Sequence, residues 1–229
     1  MKKQGLTTAV LTSMALATVP AFAAEDSTRL FKDWHYGQHV DDFPRSQGYY
    51  DCSGDLGVFA LCHDGVTFLE YPFQGQLFFG DDNRLTHATV VADYSDDLYV
   101  TVIGALTRSF AIVSAEGPYE TLDIIERAKA GAFSSEEEMQ AALVAFEAEQ
   151  HRQGYFGMTL MEQEGILEAK QDIQNAQELM MNAPEGVRVA EIAVYEDDWG
   201  PLVETSFYLP ERQLGRAIEK AKDAPVEDF

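Results

Sequence analysis

Two cysteines, Cys52 and Cys62, are the side chains with the clearest chemistry in this sequence of 229 residues. The segment between them contains Gly54 and Gly57, a composition that suits a hairpin or a tight loop with closely spaced arms. An even cysteine count in an exported chain favours a disulfide, because extracytoplasmic compartments are oxidising. The spacing is not C-x-x-C, and two thiols with His63 are too few for a zinc site. The sequence therefore predicts a structural disulfide between Cys52 and Cys62.

Histidines and acidic clusters are the next candidates for chemistry. His35 and His39 lie four positions apart beside acidic residues, but Gly37 separates them and no H-E-x-x-H pattern occurs. The acidic run 196–198 has the oxygens that Ca²⁺ prefers, yet it falls where a hairpin turn is expected, and no EF-hand pattern is present. The sequence also has no nucleophile elbow, phosphate-binding loop or dinucleotide fingerprint. We therefore assign no catalytic residue, metal site or cofactor from the sequence, and an enzymatic activity stays open.

Trp199 is the aromatic residue that stands apart from the expected core. It follows Asp197 and Asp198 in the predicted acidic loop of a hairpin. Aromatic side chains on loops are frequent anchors of protein interfaces. The alternative is that the indole folds back over its own hairpin. We predict Trp199, Asp197 and Asp198 as the candidate binding residues.

The charge balance restricts the classes of partner. The chain has 39 acidic and 16 basic residues, for a formal net charge of −23. Nucleic acids and anionic membranes are therefore excluded as partners, because such a field repels them. The acidic surface either keeps the protein soluble or attracts a basic partner or divalent cations.

The first residues have the pattern of a secretory signal. Lys2 and Lys3 precede a short apolar stretch, which ends in small residues before Ala23 and an acidic segment. We predict a signal peptide over residues 1–23, cleaved after Ala23, and a periplasmic or secreted location. The apolar stretch is too short to span a bilayer, and no later stretch is long and apolar enough to do so. No cysteine lies just after the N-terminal apolar stretch, so a lipid anchor is not expected.

The residue patterns after the signal segment predict an α+β fold. Strand patterns over 49–92, 109–115 and 187–209 predict an antiparallel β-meander and a C-terminal hairpin, with a turn at Asp64-Gly65. Ser95 precedes a predicted helix over Leu98–Thr107, for which a strand is the alternative. Ser134 and Ser135 form Ser-x-x-Glu pairs with Glu137 and Glu138, which predict the capped start of a helix that ends at Gly154. This helix and a second one over 159–181 are predicted to form an inserted αα-hairpin. The predicted organisation is a single α+β domain over 24–222, with a helical insertion at 119–182 and an acidic tail at 223–229.

One part of the chain resembles a known class of exported bacterial domains. The resemblance rests on Tyr50-Asp51-Cys52, Cys62, the segment 71–79 and the segment 85–90, with Trp199-Gly200 in the last hairpin. These residues resemble small domains related to the β-lactamase-inhibitor-protein and outer-membrane-assembly-lipoprotein folds. The resemblance implies helices packed on a short antiparallel meander, and a non-enzymatic protein that binds another protein.

These observations favour a periplasmic interaction or binding module that has a protein of the cell envelope as its partner. The alternative is an exported hydrolase or a divalent-cation-binding protein that uses acidic side chains.

Overall fold

Nine strands form one antiparallel sheet, and a two-stranded ribbon precedes it. The computed structural model describes residues 28–169 and 172–222. The strands are β1 (Arg29–Phe31), β2 (Trp34–His35), β3 (Tyr50–Asp51), β4 (Ala60–Phe68), β5 (Tyr71–Phe79), β6 (Leu85–Asp93), β7 (Phe110–Glu116), β8 (Thr121–Asp123), β9 (Tyr155–Glu162), β10 (Val189–Asp197) and β11 (Gly200–Tyr208). The helices are α1 (Ser53–Leu56), α2 (Asp96–Leu106), α3 (Ile124–Lys129), α4 (Glu136–His151), α5 (Gln163–Glu168), α6 (Ala176–Met181) and α7 (Pro210–Lys222). The sheet order is β3-β4-β5-β6-β11-β10-β9-β7-β8, which confirms the α+β class, the meander and the C-terminal hairpin.

The meander β4-β5-β6 is clamped at its outer edge by the predicted disulfide. Cys52 and Cys62 are bonded, with their Cα atoms 5.8 Å apart, so that prediction is confirmed. The prediction of a turn at Asp64-Gly65 is wrong, because β4 continues through it with an irregular register. The Gly65 amide donates to His63 Nδ1 at 2.9 Å, so the extra length is absorbed as a bulge and not as a reversal.

One face of the sheet carries the main core. Alternate residues along each strand point to this face, as Ala190, Ile192 and Val194 of β10 do. The helices α2 and α4 cover it, the first beginning at the Ser95 cap, whose hydroxyl accepts from the Leu98 amide. The predicted helix over 98–107 is therefore confirmed.

The opposite face is covered only in part. A second cluster joins Met161, Val189 and Tyr208 of the sheet to α6 through Ala176 and Leu179. At the other end of the sheet, the disulfide and Leu56 of α1 pack beside Phe78. Between these two covers, no described helix packs on the second face of the strands.

The prediction of one continuous helix over 159–181, as the second arm of an αα-hairpin, is wrong: residues 159–162 belong to β9, and the short helices α5 and α6 lie within the rest. Residues 155–162 form β9, which pairs with β7 on one side and with β10 on the other. Phe156, Met158 and Leu160 are buried on the core face, which is the two-residue period of a strand. Pairing with a strand on each side stabilises this conformation, and it outweighs the local preference of the later residues for a helix. The segment 119–182 contributes to the central sheet and is not purely a helical insertion.

Two of the sequence predictions concern the ends of the chain. The signal peptide over 1–23 and the acidic tail over 223–229 lie outside the residues that the structure describes. Within 28–169 and 172–222, no helix is long and apolar enough to cross a membrane. The disulfide is consistent with an oxidising compartment.

Candidate functional site

Two rows of residues, most of them with polar side chains, cross the open part of the sheet. The first row reads Glu116, Gly157, Ala193, Glu204, Val91 and Gln74, each paired in register with the next. The second row, two residues along each strand, reads Ser114, Thr159, Glu191, Ser206, Thr89 and Gln76. Residues paired directly across strands project from the same face. We call the centre of this surface, formed by Glu116, Glu191 and Glu204 with Tyr155, Tyr195 and Ser206, the acidic face.

A shallow cavity of about 130 Å³ lies at the centre of the acidic face. Ala193 of β10 contributes only a methyl group to its lining, and the Tyr155 and Glu116 side chains that form one of its walls lie directly over Gly157 of β9. Its walls include all three carboxylates, and none of the described Lys, Arg and His side chains lines it. The cavity is therefore a concave spot of negative charge, large enough for a few non-hydrogen atoms.

Neutral hydroxyl groups donate to each of the three carboxylates. Tyr155 donates to Glu116 at 2.6 Å and Tyr208 donates to Glu191 at 2.6 Å. Tyr195 donates to Glu204 at 3.0 Å. Hydroxyl donors fix the orientation of a carboxylate but bring no positive charge, so the negative charge of the acidic face stays uncompensated by these partners.

The pKa of the Glu191 carboxyl is raised by burial and by this excess of negative charge. Burial raises the pKa of its carboxyl, and repulsion from Glu116 and Glu204 raises it further, against the lowering effect of the Tyr208 hydrogen bond. Burial is also the largest cause that raises the pKa of Tyr155, with the same three carboxylates adding to it. A bound cation would relieve this repulsion, so the acidic face favours a positively charged group over an anion or a neutral one.

The predicted binding residues lie at the tip of the hairpin β10–β11 that carries much of the acidic face. Trp199 is 93% exposed, so the alternative in which it folds back over the hairpin is wrong. Asp197 shapes the turn, because its carboxylate accepts from the amides of Trp199 at 2.7 Å and of Gly200 at 3.1 Å. Asp198 is exposed at the same tip. The structure thus brings Trp199 and Asp198 to the surface, and their role in binding stays a prediction.

Sequence reasoning missed the acidic face itself. Glu191 and Tyr195 share one parity in β10, and this mixed face is visible in the sequence. Glu204 and Ser206 follow from the predicted hairpin, since they lie on its second strand. The contributions of Glu116 and Tyr155 were missed, because the predicted helix over 159–181 hid the strand β9 that joins β7 to this hairpin.

The histidine and acidic clusters of the sequence have local structural roles. His39 Nδ1 accepts from the Asp41 amide at 3.3 Å and caps a short 3-10 turn. In the part of the chain that the structure describes, no group of three or more His, Cys, Asp and Glu side chains is arranged to hold a metal ion. No family model, curated protein or solved structure matches this chain. The geometry of its own residues therefore carries the functional assignment.

Proposed function

We propose that this protein is a non-enzymatic binding module of the cell envelope, and that its acidic face binds a segment of a partner protein rich in Lys and Arg. The observation that supports this proposal is the cavity among Glu116, Glu191 and Glu204, which no basic side chain in 28–169 and 172–222 lines. Opposite charge across an interface speeds association and fixes register. The net charge of −23 adds a long-range field of the same sign.

The hairpin β10–β11 offers a second part of the same surface. Glu204 and Glu191 lie along it, and the exposed Trp199 is at its tip. A partner that follows the hairpin would place a cation in the cavity and an apolar group against the indole. Aromatic anchors and charged pairs of this kind dominate the binding energy of many interfaces.

Capture of the partner tests the proposal when it is combined with matched variants. A photo-crosslinking residue in place of Thr159, which lines the cavity, should trap partner segments that contain Lys or Arg in the envelope fraction of the native host. The trapped protein is then purified, and its affinity is measured by calorimetry for the wild type and for Glu191→Gln with Glu204→Gln. We expect the double variant to bind at least about tenfold more weakly, since charge pairs at interfaces contribute more than about 1.4 kcal/mol.

The control removes the same charge elsewhere. Glu70 and Glu120 are exposed and lie outside the acidic face, so Glu70→Gln with Glu120→Gln should leave the affinity within about twofold. Trp199→Ala should weaken binding by a similar factor to the loss of the two face carboxylates. If the face variant and the control bind equally well, the acidic face is not the binding surface.

A further inference from the structure

A second cavity, of about 390 Å³, lies between the N-terminal segment and the outer edge of the sheet. Trp34, Phe43 and Val66 form its buried floor, and Tyr49 and His63 form a half-buried wall. We call it the Trp34 pocket. Its volume lies within the range of small-molecule sites, which combine an apolar lining with a few polar groups. It shares no residue with the acidic face.

The aromatic lining is held in place by specific contacts. Trp34 Nε1 donates to the Tyr49 hydroxyl at 3.0 Å, and the rings of Phe43 and Tyr49 meet edge to face with centroids 5.2 Å apart. The ring of His63 lies 4.8 Å from that of Tyr49. Its nitrogens are engaged, with Nδ1 accepting from Gly65 at 2.9 Å and Nε2 lying 3.0 Å from the Gln47 carbonyl oxygen. The lining is therefore preorganised, and the imidazole nitrogens have local partners.

The charges at the rim select the sign of a ligand. Asp33 and Asp42 are both exposed there, and no described residue pairs with the Asp33 carboxylate. Lys32 also reaches the rim, but its ammonium group donates to the Thr67 carbonyl oxygen and lies 5.7 Å from the Phe31 ring centroid. The rim thus carries two carboxylates and one ammonium, because a hydrogen bond to a carbonyl oxygen leaves the charge of Lys32 in place. One oxygen of Asp42 accepts from the His39 amide at 3.0 Å, so Asp33 is the carboxylate that is more open to a ligand.

We propose that the Trp34 pocket binds a small organic ammonium ion that carries an aromatic or other apolar group. The apolar group would contact Phe43, Tyr49 and Trp34, and the ammonium would lie at the rim beside Asp33 and Asp42. Aromatic side chains and carboxylates together are the chemistry that recognises organic cations. The overall negative charge of the protein raises the local concentration of such ions. This site is independent of the proposed protein-binding function.

The two tryptophans of the chain allow a direct test. In a Trp199→Phe background, Trp34 is the single indole, and its Nε1–H resonance reports on the pocket by NMR. Titration with 2-phenylethylammonium should shift this resonance in a saturable way below about 10 mM, a range that suits a ligand of nine non-hydrogen atoms. The neutral isostere 2-phenylethanol and the anion 3-phenylpropionate should each bind at least about tenfold more weakly.

Matched variants localise the effect. Asp33→Asn should weaken binding of 2-phenylethylammonium at least about threefold, as expected for loss of one partly solvated charge, and Asp172→Asn should leave it unchanged. Asp172 is exposed and lies outside the pocket. Absence of saturation by 2-phenylethylammonium, equal binding of the alcohol, preference for the carboxylate, or an unaltered affinity in Asp33→Asn would each overturn the proposal.

Discussion

Removal of the disulfide by Cys52→Ala with Cys62→Ala should lower the free energy of unfolding by about 3 kcal/mol. The bond joins residues separated by 10 positions, and the chain-entropy model gives a contribution of about 2.8 kcal/mol for a loop of this length. Both cysteines are buried, so loss of their packing adds to this value. The effect concentrates at the edge of the sheet, because β3 pairs with β4 only through Tyr50 and Asp51.

Urea unfolding followed by circular dichroism measures the change, and thermal unfolding should show a decrease in Tm of roughly 6–11 °C for a domain of this size. The wild type treated with reductant is the matched control, and it should lose a similar amount while the double variant is insensitive to reductant. A loss below about 1 kcal/mol in both cases would refute the loop-closure reasoning.

Two further substitutions test the packing and the titration of named residues. Burial lowers the pKa of His87 from 6.5 to about 4, so the folded state binds fewer protons between these values and wild-type stability falls as the pH drops through that window. The rings of His87 and Phe78 are stacked with centroids 4.2 Å apart, and His87→Phe keeps a ring in this place. Because the variant has no group that titrates here, its free energy of unfolding relative to the wild type should increase as the pH is lowered from 6.5 to 4. A difference between the two proteins that does not vary with pH contradicts the assignment. Gly75→Ala should cost about 1–3 kcal/mol in urea unfolding, and an unchanged midpoint would show that the packing is looser than described. Its Cβ would lie 2.4 Å from the Trp34 ring and 2.8 Å from Val66 Cγ2.

The elements that the sequence predicts correctly have signals that are local. The disulfide follows from two cysteines around a glycine-containing segment, and the meander follows from short apolar runs between turn residues. The cap of α4 is equally local, since Ser135 accepts from the Glu138 amide at 3.3 Å and Glu138 accepts from the Ser134 amide at 2.8 Å. Each of these features depends on a few neighbours in the chain, so residue types and spacing are sufficient to predict it.

The turn at Asp64-Gly65 shows where local signals mislead. A dipeptide of this kind favours a hairpin turn, but the chain reverses five residues later, at Leu69 and Glu70, whose φ angles are +52° and +70°. Neither residue type favours the left-handed region. Pairing of β4 with β5 on both sides of the bulge decides the register, and that pairing is a property of the whole meander.

The acidic face depends on β9, the strand that the sequence analysis did not predict. β9 brings Gly157 beside Ala193, whose methyl group is among the residues that line the cavity. At Gly157 a Cβ atom would lie 2.9 Å from the Tyr155 hydroxyl and 3.0 Å from Glu116 Cγ, so the pair that closes this side of the cavity needs a glycine beneath it. With residues 159–181 taken as a helix, Glu116 has no strand to connect it with Glu191 and Glu204. Glu116 meets the two carboxylates of the hairpin only because β9 joins β7 to β10, and a partner cation would therefore recognise a feature of the assembled sheet.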